Sequence, residues 1–398
     1  MDKDIEYVRV GTQLYKIVHV PTLQGDEEEQ LIPWKYGTLK QDYAKDDMPV
    51  IPKYDGFCTI PSHTDYQPSV GNFLNLYKPI SHEPAEGEFP HVEALMRHIF
   101  EEQYELGMDY LQLLYLRPIQ KLPILLLVSE ERNTGKSTFL NFMKAVFQDN
   151  ATFNTNEDFR SQFNADWAGK LLIVVDEVLL SRKEDSERLK NLSTAFSYKI
   201  EAKGKDRQEV HFFAKFILCS NNEAFPVMID PVETRYWVRK VKRLETDDTN
   251  FLDSLKAEIP ALLHHLQHRQ LSTERKSRMW FAPSLIHTEA LDRIISSNRS
   301  KVETDIIDVC LDVMAKENIA ELTVAPKDLL EILKFYGAGH DLNAVRKVLR
   351  DMWRLKPASN GFSYTTYAPD WSKETQLTTC KRKGRFFTVT RDFLQTLC

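Results

Sequence analysis

The residues in this chain best suited to chemistry begin at Gly135-Lys136-Ser137-Thr138, a lysine and two hydroxyls directly behind a glycine. An apolar run, Leu125 to Val128, leads into them, and Phe139, Leu140, Phe142 and Met143 follow at helical spacing. A strand–loop–helix junction of this kind binds phosphate, because N–H groups of the loop and of the helix N-terminus converge on an anion. Asn133, Thr134, Gly135, Lys136, Ser137 and Thr138 are therefore the candidate nucleotide-binding residues. Lys136 would reach the β- and γ-phosphates, and the Ser137 hydroxyl would ligate Mg²⁺. The full pattern, G-x-x-x-x-G-K-[ST], opens on glycine, and this chain has Glu130 there. A carboxylate near phosphates is unfavourable unless it points outward, and a non-glycine restricts the backbone.

A second apolar run, Leu171 to Val175, ends in Asp176-Glu177. A buried strand that delivers carboxylates at its C-terminal end does so where α/β sheets bind ligands. Asp176 is expected to hold the Mg²⁺ through water, and Glu177 to polarise the attacking water as general base. A third run, Phe216 to Ser220, ends at Asn221-Asn222. An amide there can hydrogen-bond the γ-phosphate or the lytic water, and capping the turn is an equally ordinary role for either asparagine. Asn221 is preferred because it follows the run directly.

Between the second and third runs, Tyr198 to Val210 places strand-like flanks around Lys203-Gly204-Lys205, the pattern of a basic hairpin. After the third run comes Glu233-Thr234-Arg235-Tyr236-Trp237-Val238-Arg239. An arginine here could enter a neighbouring subunit's phosphate site.

Short apolar strands alternate with helical segments up to about residue 245, which predicts an α/β unit with a parallel sheet to hold these groups. A helix is predicted over about 92–116, stopped by Pro118. Before it, YVRV and LYKIVHV form a predicted hairpin around Gly11-Thr12-Gln13, and Asp26 to Glu29 reads as a solvated loop. At 398 residues and 46.4 kDa the chain is long for one core. Three segments are expected: 1–90 as a small α+β accessory region, 91–272 as the ATPase core with its preceding helices, and 273–398 as a mostly helical domain. The net charge of −6 confines any nucleic-acid contact to local basic patches. The 5 cysteines are scattered and odd in number, which supports neither a zinc ribbon nor a disulfide framework. No apolar h-region follows the first residues, and the longest apolar run, Leu122 to Val128, falls far short of the roughly 20 residues that span a bilayer. A soluble, cytoplasmic protein without membrane contact is expected. His264 and His268 have metal-ligand spacing but no third ligand, so an ordinary helix surface is expected there.

In the last hundred or so residues, Val302, Ile306, Val309, Cys310 and Val313 form a helical stripe, and Lys327 to Phe335 reads as a second helix. Asp341 caps a predicted third helix with Val345, Val348, Leu349 and Met352 on one face and Arg346, Arg350 and Arg354 on another. A strand is predicted behind a basic turn, Arg382-Lys383-Gly384-Arg385. Three helices and a strand pair suggest a winged-helix-like domain, with Arg346 and Arg350 as candidate contacts to duplex DNA. An arginine ladder is equally at home on a solvated face.

The TGKST loop, IVVDE, the KGK hairpin, LCSNN and ETRYWVRKV, in that order, resemble the core of superfamily 3 helicases of the AAA+ class, in the phage and plasmid primase-helicase branch related to poxvirus-type primase-helicases. The resemblance spans about residues 75–270 and implies a P-loop AAA+ fold with ATP and Mg²⁺ as cofactors. By the same resemblance, Lys136 and Ser137 are the phosphate and magnesium residues, Asp176 and Glu177 the metal and base pair, Asn221 the sensor and Arg235 the arginine finger, with Arg239 as second choice. Lys203 and Lys205, with Arg207 beside them, are implied to touch the translocating strand. Such helicases form hexameric rings around single-stranded DNA, which implies replication of a phage or mobile element in a bacterial host, beside a separate primase or replisome protein. Glu130 departs from the pattern, and residues 1–90 hold no obvious metal-binding acidic motif. Two readings compete with a helicase: an ATP-switched initiator or loader with little unwinding, and a slow regulatory ATPase whose main support is Glu130.

Overall fold

The computed structural model describes residues 6–21, 27–44, 46–159, 167, 169–180, 182–200, 208–230, 233–244, 248–370 and 377–397. The chain divides into two compact units, 1–228 with 233–291, and 292–398 with 229–232.

The first unit opens with β1 (Tyr7–Val10) and β2 (Gln13–Pro21), antiparallel about a turn in which Gly11 takes φ +58°. β3 (Glu27–Trp34) pairs with β2 along its length, so Glu27 to Glu29, expected in a loop, lie in a strand. The long edge of β2 offers ladder partners out to Pro21, which outweighs the poor β-propensity of glutamate. Next come α1 (Tyr36–Asp42), β4 (Lys53–Tyr54), β5 (Gly56–Cys58), β6 (Ser69–Val70) and β7 (Phe73–Asn75), which complete two small sheets ordered β3-β2-β1-β4 and β5-β7-β6. The single helix expected over 92–116 is two, α2 (Pro90–Phe100) and α3 (Tyr104–Leu116), broken where Glu101 takes φ +45°. The break lets the Phe100 ring lie flat against Gly107, where a Cβ would meet it at 2.4 Å.

β8 (Ile124–Val128), α4 (Lys136–Phe147), β9 (Ala151–Phe153), β10 (Leu172–Val175), α5 (Lys183–Thr194), the hairpin β11 (Ser197–Ile200) and β12 (Gln208–His211), β13 (Lys215–Ser220) and β14 (Tyr236–Lys240) follow. Five of these strands form one parallel sheet, ordered β14-β8-β13-β10-β9. β8, β10 and β13 are buried throughout, which is why they read as unbroken apolar runs. Each fully buried Leu, Ile or Val contributes roughly 1.5–3 kcal/mol to that core. α6 (Phe251–Ala257), α7 (Ile259–His268) and the short α8 (Pro283–Ile286) complete the unit, with Leu255, Leu262, Leu263 and Leu266 in the core. Trp280, Phe281 and Ile286 join the same core, so residues 273–291 pack with this unit and not with the C-terminal module. In α7, His268 Nδ1 lies 2.7 Å from the His264 carbonyl, and no cluster of three or more His, Cys, Asp or Glu among the described residues is arranged to hold a metal ion.

Two lysines are buried at the N-terminal end of the sheet. Lys215, the first residue of β13, donates to the Pro118 carbonyl, and Lys121 donates to the Phe212 carbonyl at 2.7 Å. Burial pushes Lys121 down to about 8, and burial followed by repulsion from Lys121 holds Lys215 well below the ordinary lysine range. Between those depressed values and the unfolded value near 10.5 the unfolded chain binds more protons, so this pair favours folding increasingly as pH rises through about 8. Between about pH 7 and about pH 9, urea titration should therefore show stability rising less, or falling more, in Lys215→Met than in the wild type. Parallel slopes would contradict the assignment.

The second unit follows the boundary helix α9 (Glu289–Ser297) with α10 (Lys301–Lys316), β15 (Glu321–Val324), α11 (Pro326–Phe335), α12 (Leu342–Lys347), a π-helical turn at Val348–Met352, β16 (Phe362–Pro369), β17 (Leu377–Gly384), β18 (Phe387–Thr390) and α13 (Arg391–Leu397). β15 pairs with β18 and β16 with β17, both antiparallel, around a core that includes Ile306, Val313, Leu329, Leu349 and Val389. Asp341 caps α12 as expected, accepting from the Asn343 and Ala344 amides at 2.8 and 2.9 Å. The third helix does not run on as a regular ladder. Its π-turn ends where the Trp353 amide reaches back to Val348 at 2.9 Å, which seats the indole in the core with its N–H 2.8 Å from buried Glu303. Arg354 then takes φ +51° and leaves the face that Arg346 and Arg350 share. Arg382 and Lys383 lie in β17, not in a turn, and Arg382 is ion-paired to Asp328 and Glu331. No helix among the described residues is long and apolar enough to cross a membrane.

Candidate active site

Three neighbouring strand tips build the site. In the order β8-β13-β10 the parallel strands end side by side, and the chain leaves them at Ser129, Asn221 and Asp176. The C-terminal edge of a parallel sheet is open to ligands because the backbone turns away there.

From β8 the chain runs through the loop 129–135 into α4. Gly135 takes φ +80°, a region that favours glycine, and a Cβ would meet the Leu244 side chain at 3.3 Å. Asn133 takes φ +55°, which asparagine tolerates. Glu130 is exposed and is absent from the residues with positive φ, so glycine is not required at that position. Its amide donates to the Glu223 carboxylate at 3.1 Å, and Glu223 also pairs with Lys240 at 2.8 Å. Lys136, only 6% exposed, points back across the loop and donates to Thr134 Oγ1 at 3.0 Å and the Ser129 carbonyl at 3.4 Å. Burial pulls its pKa below the usual lysine range, and Cys219, Asp176 and Glu223 partly restore it. A buried ammonium hydrogen-bonded to neutral oxygens suits a phosphate anion.

The Ser137 hydroxyl donates to Asp176 Oδ2 at 2.7 Å, which joins the helix start after β8 to the tip of β10 across β13. A hydroxyl and a carboxylate oxygen held together are hard donors of the kind that suit Mg²⁺. Glu177 takes φ +56°, and its Oε1 lies 3.4 Å from Asn221 Nδ2. The two asparagines part company here: Asn222 Oδ1 caps the turn through the Ala224 and Phe225 amides at 2.9 and 2.8 Å, while Asn221 faces Glu177.

The arginines lie elsewhere. Arg235 precedes β14 at the N-terminal edge of the sheet, where β14 pairs with the start of β8, and it is paired with Glu233 at 3.0 Å. It belongs to the opposite end of the sheet from its own chain's Lys136. Arg239 is 5% exposed and tied to Glu101, Glu102 and Gln103, so it is an internal anchor and not a second finger. The β11–β12 hairpin is present, whereas Lys203, Lys205 and Arg207 at its tip lie outside the described residues. Arg346 and Arg350 are both exposed on the second unit.

Sequence reasoning passed over Asn156, Glu223 and His98. Asn156 bonds the backbone on both sides of Val178, and His98 Nε2 lies 3.0 Å from the Thr134 carbonyl in the loop. The only signal for Asn156 is an amide-rich stretch, Asn154 to Asn156, behind a strand too short to be legible.

A mixed α/β protein with a five-stranded parallel sheet and polar groups gathered at three strand tips is the class defined by fold and site. Residues 127–236 match a family described as "Family of unknown function (DUF5906)". No curated protein matches the chain in sequence. The chain is similar to the apo structure of the NrS-1 C-terminal region (305–718), with a TM-score of 0.67 and 16% identity over 97% of this chain and 96% of that one. Two A-form apo structures of the same region give TM-scores of 0.63 and 0.64 at the same identity and coverage. At such identity the likeness is one of fold.

Proposed function

We propose that the chain is an ATP-driven DNA helicase that serves replication of a phage or mobile element. The observation that carries this reading is the contact between Ser137 and Asp176 at 2.7 Å, which spans β13 at the C-terminal edge of one parallel sheet beside a buried Lys136. In this P-loop AAA+ reading, the amides of residues 133–138 and Lys136 hold the ATP phosphates, and Ser137 and Asp176 hold Mg²⁺. Bound Mg²⁺–ATP supplies a phosphoryl group whose charge the metal partly neutralises. Glu177 takes the proton of the attacking water, and Asn221, within reach of Glu177, orients that water. Arg235, remote from its own chain's Lys136, acts on a neighbouring copy, which makes turnover depend on a ring, taken as a hexamer. Lys203, Lys205 and Arg207 contact single-stranded DNA in that ring by charge and not by sequence.

The second unit's order of helix, strand, two helices, hairpin and strand supports a winged-helix-like reading, with Arg346 and Arg350 offered to duplex DNA. A separate primase or replisome protein completes the proposed assembly. A forked duplex with a single-stranded tail tests the helicase. ATP-dependent strand displacement, lost in Lys203→Ala/Lys205→Ala, is expected. Nucleotide-dependent duplex binding without displacement would replace the helicase with an initiator or loader.

A further inference from the structure

Glu177 stands in a backbone conformation that glutamate rarely adopts, with φ +56°, two residues past the end of a fully buried strand. Something must hold the turn from Asp176 to Leu179 in place. Within the turn, the Glu177 amide donates to Asp176 Oδ1 at 3.1 Å, and β13 holds Val178, whose amide donates to the Cys219 carbonyl at 2.7 Å and whose carbonyl accepts from Ser220 Oγ at 2.9 Å. From outside, one side chain grips both ends: Asn156 Nδ2 donates to the Glu177 carbonyl at 3.1 Å, and Asn156 Oδ1 accepts from the Leu179 amide at 2.9 Å. Asn156 is itself fixed by the turn around it, where Asp158 Oδ2 accepts from the Thr155 amide and hydroxyl at 2.6 and 2.9 Å. It stands just past the tip of β9, the edge strand beside β10.

We propose that Asn156 is a positioning residue for Glu177: its amide clamps the turn so that the carboxylate stays against Asn221, beside Asp176 and Ser137. The inference rests on the reading of Glu177 as the general base. Asn156 touches neither the phosphate loop nor the Ser137–Asp176 pair in any hydrogen bond described, so it has no direct part in nucleotide affinity. Removing the clamp leaves the Glu177 carbonyl and the Leu179 amide without their side-chain partner while Val178 stays held by β13, so Glu177 relaxes towards negative φ and its carboxylate swings away from Asn221. A displacement of about 1 Å in a catalytic group can cost about 100-fold in rate.

The test is steady-state ATP hydrolysis by the full chain in four forms: wild type, Asn156→Ala, Glu177→Gln and the double variant. Asn156→Asp, which keeps the acceptor for Leu179 and loses the donor to Glu177, stands in where the alanine variant folds poorly. For Asn156→Ala, kcat should fall between about tenfold and 100-fold with KM for ATP within about twofold of wild type. The double variant should be no slower than Glu177→Gln alone, because a misplaced base that is already disabled costs nothing more. An unchanged kcat in Asn156→Ala, a rise in KM without a fall in kcat, or the same further loss in the Glu177→Gln background would overturn the proposal. Wild-type turnover by Glu177→Gln would instead remove the base reading, and the positioning role with it.

Discussion

Replacing Lys136 by alanine should remove half or more of the thermal stabilisation that Mg²⁺–ATP gives the wild type, while leaving the apo protein as stable as before or more so. Two opposing terms meet at this side chain. Its ammonium is buried, and burial already depresses its pKa, so in the apo protein it is held at a desolvation cost. Hydrogen bonds from a charged donor to phosphate are worth about 1.5–3 kcal/mol each, so affinity should fall by roughly tenfold to 150-fold. At ligand concentrations about 100-fold above Kd, binding stabilises the native state by about 2.7 kcal/mol, and between about half and about nine-tenths of that shift disappears over this range of affinity loss. Differential scanning fluorimetry with and without Mg²⁺–ATP measures both terms at once. A variant that loses apo stability but keeps the full nucleotide shift would show that Lys136 supports the loop and does not bind phosphate.

Glu177→Gln should separate binding from turnover. The carboxamide keeps the volume of the side chain and can still meet Asn221, but it cannot accept a proton from water. Losing a general base costs about 100-fold to 10,000-fold in rate. Nucleotide affinity should stay within a few-fold of wild type, because the Ser137–Asp176 pair and Lys136 are untouched. The variant should therefore retain the thermal shift that Lys136→Ala loses. Equal losses of affinity in both variants would place Glu177 in the binding machinery and leave the base unassigned.

The parts of this site legible in the sequence are those that follow from burial. β8, β10 and β13 are buried on both faces, so each had to be an apolar run, and the polar residues at their ends had to mark the edge of the sheet. Sheet order is not written in such runs. That β13 inserts between β8 and β10, which brings Ser137 within reach of Asp176, is a tertiary fact. Glu130 looked like a defect by pattern, and only the backbone shows that its position does not need positive φ. The choice between Asn221 and Asn222 likewise depended on which side chain the turn consumed. Arg239 failed as a finger because Glu101 and Glu102, far away in the chain, had already claimed it. In the second unit, a four-residue spacing promised one arginine face, and the π-turn at Val348–Met352, with Arg354 at φ +51° after it, ends that face.

A motor of this kind couples ATP hydrolysis to DNA, and that coupling is read from hydrolysis by the wild type with and without single-stranded DNA. Turnover should rise severalfold on adding single-stranded DNA, and the stimulation should weaken with added salt as phosphate contacts are screened. Turnover indifferent to DNA at every salt concentration would contradict the claim.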